Sequence, residues 1–341
     1  MSSQLPDLYK GGPTADWNLF NEYMVYFRSI WPLILTLLPT DHRDKNRDYV
    51  RKPGGGRKAT DPWILFRTIL FVLCTGIQWN AVLKNDLYGF CSGKVANKWH
   101  LIWARTDFYK NLCKTILQLY DAQYKLDIEW TSLDGSNFKA PLGLEEVGPN
   151  PTDRGKNGTK RSILVDTLGI ILAFVHAAAN VHDSNLLEQT LAARMDKKNA
   201  DQENLCLDAG YVGDRCKKTA ESFGYITHVR PRGEEKKLKE TDKTYDPKRW
   251  VVERTHAWLN NFRKLRIRYE KTIKSFDGLT FVAALTITTR IMFRLKEGLN
   301  IWKKGTKKMN VLSDEFINKC SGVGKNILEL AVNKQIIAPI S

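Results

Sequence analysis

The sequence predicts an α/β fold, a mixed five-stranded sheet with flanking helices, preceded by an all-helical region. Three observations carry this. Apolar residues recur at helical spacing through residues 15–40 and 60–125. From Leu126 the pattern changes to short alternating or continuous apolar runs bounded by turn residues. Those runs then follow the order strand, strand, strand, helix, strand, helix, strand, helix, as in an α/β domain. At 341 residues, the chain has length for about two domains, each with its own core.

The elements follow in order. In DPWILFRTILFVLCTG, Asp61 is placed to cap a helix, Pro62 to occupy its first turn and Gly76 to end it. Two more helices are expected, around Trp79–Asn85 and from Gly93 through Trp103. The stretch from Gly93 to Lys110 mixes Lys94, Lys98 and Arg105 with Trp99 and Trp103. It fits a helix-turn-helix reader of DNA, and equally a bundle with tryptophans in the core and lysines solvated. LDIEWTSLDG reads as a strand ending in a turn. SILVDTLGIILAFV reads as a hairpin turning at Asp166–Gly169. SNLLEQTLAARM is a short amphipathic helix, NLCLDAG a buried strand, GDRCKKTAESFG a helix and YITHVR a strand. A long helix is expected from about Lys248 to Arg268.

Composition narrows the function classes. There are 53 Lys and Arg against 37 Asp and Glu, a formal charge of +16, which favours a polyanionic partner. The basic residues cluster at Arg43–Lys58 around a glycine triplet, at Arg263–Lys274 and at Lys303–Lys308. No apolar run approaches the ~20 residues of a membrane span; Trp63–Trp79 contains Arg67 and Leu279–Thr289 is short. The N-terminus lacks the pattern of a secretory signal. The six cysteines show no C-x-x-C pair, so neither a zinc cluster nor a disulfide framework is suggested. A cytoplasmic protein without membrane association is expected.

Two aspartates stand at the ends of predicted strands beside small residues, Asp134 in SLDGS and Asp208 in LDAGY. Strand ends near the centre of a sheet are where α/β folds present site residues, although each aspartate alone is equally a turn former. The helix KRWVVERTHAWLNNFRKL adds a third carboxylate. At ~100° per residue, Val251, Val252, Thr255, Trp258, Leu259, Phe262 and Leu265 lie opposite Glu253. Arg249, Asn260 and Lys264 fall within about 40° of Glu253 and His256 within about 60°. Three convergent carboxylates suit Mg²⁺, a hard ion that takes oxygen ligands. Two such ions ~3.5–4 Å apart can run an in-line displacement at a phosphodiester. No P-loop, H-E-x-x-H or G-x-S-x-G motif competes. His182 and Asp183 are read as a helix cap region, with Asp183 or Ser184 capping. Asp166 is read as a turn residue. Lys156, Lys160 and Arg161, just before a strand, are candidates to track phosphates.

SLDGSNFKA, DRGKNGTKRSILVDTLGIILAFVHAAANVHDSNLL, LDAGYVGD and KRWVVERTHAWLNNFRKLRIRYE, in that order, resemble bacterial insertion-sequence DDE transposases of the four/five type. The resemblance spans roughly residues 60 to 295 and implies an RNase H-like catalytic domain. It implies Asp134, Asp208 and Glu253 as the catalytic metal-binding triad and Arg249 as the arginine of an Arg-x-x-x-Glu signature. The places where the group often has Tyr and a basic residue hold Asp246 and Asn260 here, with Tyr245 and Lys264 nearby.

The implied organisation is an N-terminal helical segment with a basic connector (1–59), a helical DNA-end-binding domain (60–125), a catalytic domain (126–295) and a basic tail (296–341). Lys94, Lys98, Arg105, Lys156, Lys160, Arg161, Arg249, His256, Asn260 and Lys264 are the candidate DNA-binding residues. The implied partners are double-stranded DNA, as element inverted repeats and as target, and further copies of the chain in a dimer or larger assembly. Two Mg²⁺ ions are the implied cofactors, with Mn²⁺ as a substitute, in a nucleoid-associated protein of a bacterial or archaeal host. The alternatives are a catalytically retired DNA-binding descendant and an RNase H-like nuclease.

Overall fold

A computed structural model describes residues 15–39, 59–85, 89–196, 203–229, 250–296 and 314–336. The chain divides into two compact units: Met1–Leu112 with Thr289–Ser341, and Cys113–Thr288.

The described part of the first unit is built from helices. They include α1 (Ala15–Ser29), α2 (Trp31–Leu37), α3 (Pro62–Thr75) and α4 (Gly93–Arg105). Helix α5 (Phe108–Tyr124) begins in this unit. The signals around α3 act as read: Asp61 caps it by accepting from the Trp63 amide, Pro62 opens it and Gly76 closes it at φ 71°. Asp61→Ala is expected to lower stability by about 1 kcal/mol, to be checked by the thermal unfolding midpoint. The expected helix at Trp79–Asn85 is instead one 3-10 turn, Trp79–Ala81, followed by extended chain. The core is aromatic, with Phe20, Phe27, Trp31 and Phe66 buried. Glu22 is buried there and paired with Arg290 at 3.4 Å and Arg294 at 3.1 Å.

The second unit holds one six-stranded sheet. Its strands are β1 (Trp130–Lys139), β2 (Gly148–Pro149), β3 (Asn157–Val165), β4 (Ile171–Ala178), β5 (Glu203–Leu207) and β6 (Tyr225–Val229). β3 lies between β1 and β4, antiparallel to both, while β5 runs parallel to β1 and β6 parallel to β5. Five strands were expected; the sixth, β2, pairs only through Gly148 and Pro149 with the start of β3. Two residues are too few to show a periodicity, so the sequence carries no sign of it. The expected turn at Asp134–Gly135 is also corrected, because β1 continues to Lys139 in register with β3.

Helices α6 (Asp183–Ala192) and α7 (Asp214–Ser222) alternate with the later strands. The expected long helix is split into α8 (Trp250–Asn261) and a single turn, α9 (Arg263–Arg266), by extended backbone at Phe262 (φ −78°, ψ 100°). No proline or glycine marks that break. Phe262 and Leu265 are both buried, so packing sets it.

Helix α10 (Ile273–Lys296) follows, and α11 (Asp314–Asn333) comes last. By length and composition α10 could cross a membrane, which the shorter run Leu279–Thr289 did not suggest. In the fold 83 % of its most apolar window is buried inside the protein. Thr280, Thr286 and Thr288 on it donate their hydroxyls to carbonyls four residues back, which satisfies them in that core.

Candidate active site

The first two carboxylates meet because of sheet register. Ser132 pairs with Cys206 across parallel β1 and β5, and Asp134 and Asp208 each lie two residues further on. They therefore stand at the same height on neighbouring parallel strands, whose spacing is about 4.8 Å. Each is held by the amide that follows it: Gly135 N–H donates to Asp134 Oδ1 at 2.8 Å and Ala209 N–H to Asp208 Oδ1 at 2.6 Å. Asp208 is also the cap of a 3-10 turn, Ala209–Tyr211. The turn-forming reading of Asp208 is thus correct locally, without removing it from the strand end. Both side chains are half-buried.

Glu253 is exposed on α8, which packs on β1 and β3. Val251, Val252, Thr255 and Leu259 form the buried side of the helix, as their spacing predicts. His256 is buried as well, beside the backbone of Asp134. It lies only 40° from Val252 around the helix, which places it at the margin of the apolar face. Burial and the nearby Arg161 guanidinium push its imidazole down to about 3, so it is neutral at physiological pH.

The tip of the β3–β4 hairpin clasps this helix. Arg254 Nη2 donates to the Leu168 carbonyl at 3.1 Å and Thr255 Oγ1 to the Gly169 carbonyl at 3.0 Å. Gly169 sits at φ +85° with the Thr255 hydroxyl 2.6 Å from where a Cβ would be, so any side chain there is strained and crowded. Asp166 holds the turn as expected, its Oδ1 accepting from the Leu168 and Ile170 amides at 3.0 and 2.7 Å.

Burial raises the Asp166 carboxyl from 3.8 to about 7. An acid raised on folding favours the protonated folded state, so its contribution is lost as pH rises from about 4 to about 7. Wild type is expected to lose up to about 4 kcal/mol over that window. Asp166→Asn keeps the two amide acceptors and escapes the loss. Urea unfolding near pH 5 and near pH 8 checks this: the variant should gain on wild type at the higher pH, and a pH-independent difference would count against it.

The candidate DNA-binding residues separate by exposure. Lys94, Lys98, Arg105, Lys156 and Asn260 are exposed. Lys160, Arg161, His256 and Lys264 are buried, and in these positions they are not phosphate-facing as the sequence reading expected. Lys160 and Arg161 belong to β3, whose residues from Gly158 to Val165 are all buried. Lys160 pairs with Asp183 at 2.9 Å, and Arg161 lies 5.5 Å over the Phe138 ring. Lys264 follows the helix break, so its angular relation to Glu253 is lost, and it pairs with buried Glu270 at 3.3 Å. Arg249, Tyr245 and Asp246 lie outside the described residues, as do the basic stretches Arg43–Lys58 and Lys303–Lys308.

Residues not singled out from the sequence also border the aspartates. Tyr211 is fully buried, and its hydroxyl feels Asp183, Asp134 and Asp208, which together with burial raise it well above the usual tyrosine range. Its position three after Asp208, closing the 3-10 turn, was the available signal. His182, rather than Asp183 or Ser184, caps α6, its Nδ1 accepting from the Ser184 amide.

The donor chemistry of Asp134, Asp208 and Glu253, carboxylate oxygen throughout, suits a hard divalent ion. Among the described residues no three His, Cys, Asp or Glu side chains are close enough as they stand to enclose one. The two aspartates stand at matching positions beyond the paired Ser132 and Cys206.

Residues 126–287 match the model of the transposase DDE domain family. A protein provisionally named as the transposase for insertion sequence element IS402 of Burkholderia cepacia is 36 % identical over 135 residues, 38 % of this chain. The match spans 62 % of that relative's length. No solved structure matches the chain. The resemblance to insertion-sequence DDE transposases read from the sequence is therefore supported over the unit that carries all three carboxylates.

Proposed function

We propose, starting from this DDE-transposase likeness, that the chain is a DNA transposase. It binds the terminal inverted repeats of its own element, cleaves at the element ends and joins the freed 3′-OH to target DNA. The observation that carries the reading is the register match of Asp134 and Asp208 on adjacent parallel strands, with the Glu253 helix packed on β1 and β3 of the same sheet. The strand order β4, β3, β1, β5, β6 supports an RNase H-like catalytic core.

In this mechanism Asp134, Asp208 and Glu253 would hold divalent metal, Mg²⁺ by preference and Mn²⁺ in its place. When bound, such ions supply activation of an attacking oxygen and stabilisation of the leaving oxygen at a phosphodiester. The chain's own part is positional. The Gly135 and Ala209 amides orient the two aspartates, and the hairpin clasp sets the height of α8. His256, neutral and buried, supports the helix against β1 and carries no charge to the DNA.

Lys94, Lys98 and Arg105 fall within about 40° of one another around α4 and form one exposed basic stripe. With residues 60–125 as the end-binding domain, this stripe contacts backbone phosphates, while neighbouring side chains read bases. Lys156, Asn260 and Arg249 contact DNA nearer the carboxylates. Because two element ends must be joined, the active form is a dimer or larger assembly on DNA. The protein acts in the cytoplasm, at the nucleoid.

An end-cleavage assay on labelled DNA carrying both flanks of the gene tests this. A nick at the repeat boundary that needs Mg²⁺ or Mn²⁺ and stops with EDTA is expected. Specific binding without cutting under either metal would point to a retired DNA-binding descendant. Cutting of RNA–DNA hybrids, with no repeats beside the gene, would point to a nuclease.

A further inference from the structure

On the face of the sheet opposite α8, a lysine and an aspartate meet directly beneath Asp134. Side chains alternate along β1, so Asp134 and Gly135 face opposite sides. A Cβ on Gly135 would clash with Asp183 Oδ1 and stand 3.0 Å from its Cγ. The Asp183 carboxylate thus fills the place a side chain would take at the residue following Asp134. Lys160 fixes it there: its Nζ is 2.9 Å from Asp183 Oδ1 and donates to the Val181 carbonyl at 2.7 Å. The Lys160 side chain is only 8 % exposed, and a buried ammonium needs such a partner. Capping of α6 falls to His182, so Asp183 is not needed for that.

The same carboxylate acts on the buried Tyr211 hydroxyl together with Asp134 and Asp208. Thr190, on α6, donates to Ser162 at 2.8 Å, and Ser162 pairs with Gly135 across β1 and β3. Asp183 therefore sits against the residue that follows Asp134, within a layer tied to α6.

We infer that the Lys160–Asp183 pair, wedged against Gly135, is a positioning device for the Asp134 and Asp208 carboxylates. A glycine beside a metal-binding residue would leave the backbone its widest freedom. The wedge removes that freedom while leaving the Asp134 face clear. Preorganised sites require their ligands held to within about 0.5 Å, and a half-buried carboxylate pinned against the backbone by a buried lysine supplies such a hold. Lys160 and Asp183 touch neither metal nor DNA. The inference rests on the transposase reading for what Asp134 and Asp208 hold.

The test uses the full chain with Asp183→Asn, Lys160→Met, Lys160→Arg and Gly135→Ala. Mn²⁺ binding is followed by electron paramagnetic resonance, and end cleavage is followed against Mn²⁺ concentration. Asp183→Asn and Gly135→Ala are expected to raise the half-saturating Mn²⁺ about tenfold or more, with DNA binding unchanged. Lys160→Arg should stay near wild type and Lys160→Met should not. If Lys160→Met fails to fold, the near-isosteric Asp183→Asn and the Gly135→Ala variant still decide. Unchanged Mn²⁺ dependence in those two, beside a wild type that binds and cuts, overturns this inference alone. A wild type that neither binds Mn²⁺ nor cuts overturns the transposase reading and this inference with it.

Discussion

Replacing Asp208 by alanine is expected to reduce end cleavage about a thousandfold or more, a barrier increase of roughly 4 kcal/mol, while DNA binding persists. The size follows from position. Asp208 ends the strand beside β1, and removing its carboxylate leaves Asp134 without its neighbour across the sheet. Metal ions contribute several kcal/mol of transition-state charge stabilisation, and losing one of two adjacent ligands forfeits most of it. The lost carboxylate is half-buried, and the Ala209 amide it accepted lies in a turn that alanine can still form. Folding should therefore survive. A gel-shift and cleavage assay on one preparation separates the effects. Cleavage within tenfold of wild type would remove Asp208 from the site.

The largest stability effect is expected at Arg194. Its guanidinium pairs with Asp196 at 2.6 Å and with Glu203 Oε2 at 2.6 Å, and it reaches the Tyr225 hydroxyl. The Glu203 side chain is completely buried, and those of Arg194 and Asp196 nearly so. Arg194→Ala leaves two acids inside the fold without their counter-charge. Breaking a buried pair in this way costs about 3–5 kcal/mol, on the order of 10 °C in the unfolding midpoint for a unit of this size. Arg194→Lys cannot reproduce the planar fork and should recover only part of the loss. Thermal unfolding of the two variants checks both statements; a shift of only a few degrees in Arg194→Ala would show the pair to be dispensable.

The elements legible in the sequence are those whose signals are local. Asp61, Pro62 and Gly76 bound α3 because caps act through the nearest backbone groups. The hairpin turn at Asp166–Gly169 likewise depends on its own residues. Asp208 was legible as a strand end, whereas Asp134 lies inside β1, and their shared height came only with the β1–β5 register. What was missed depends on distant partners. Lys160 and Arg161 read as phosphate-tracking residues just before a strand, but β3 starts at Asn157 and takes both cations inside. Lys160 is tolerated there because Asp183, 23 residues on, is in place to receive it. Gly135 looked like a turn glycine for the same reason, since what requires it belongs to another element. The break at Phe262 leaves no trace in residue type, because burial of Phe262 and Leu265 rather than any helix breaker imposes it.

The clasp between the hairpin tip and α8 has a consequence for how the chain can vary. Glu253 is located by what its helix is fastened to, through Arg254 to Leu168 and Thr255 to Gly169. A change at Gly169 or Thr255 therefore moves the third carboxylate over the sheet, although neither residue carries its charge.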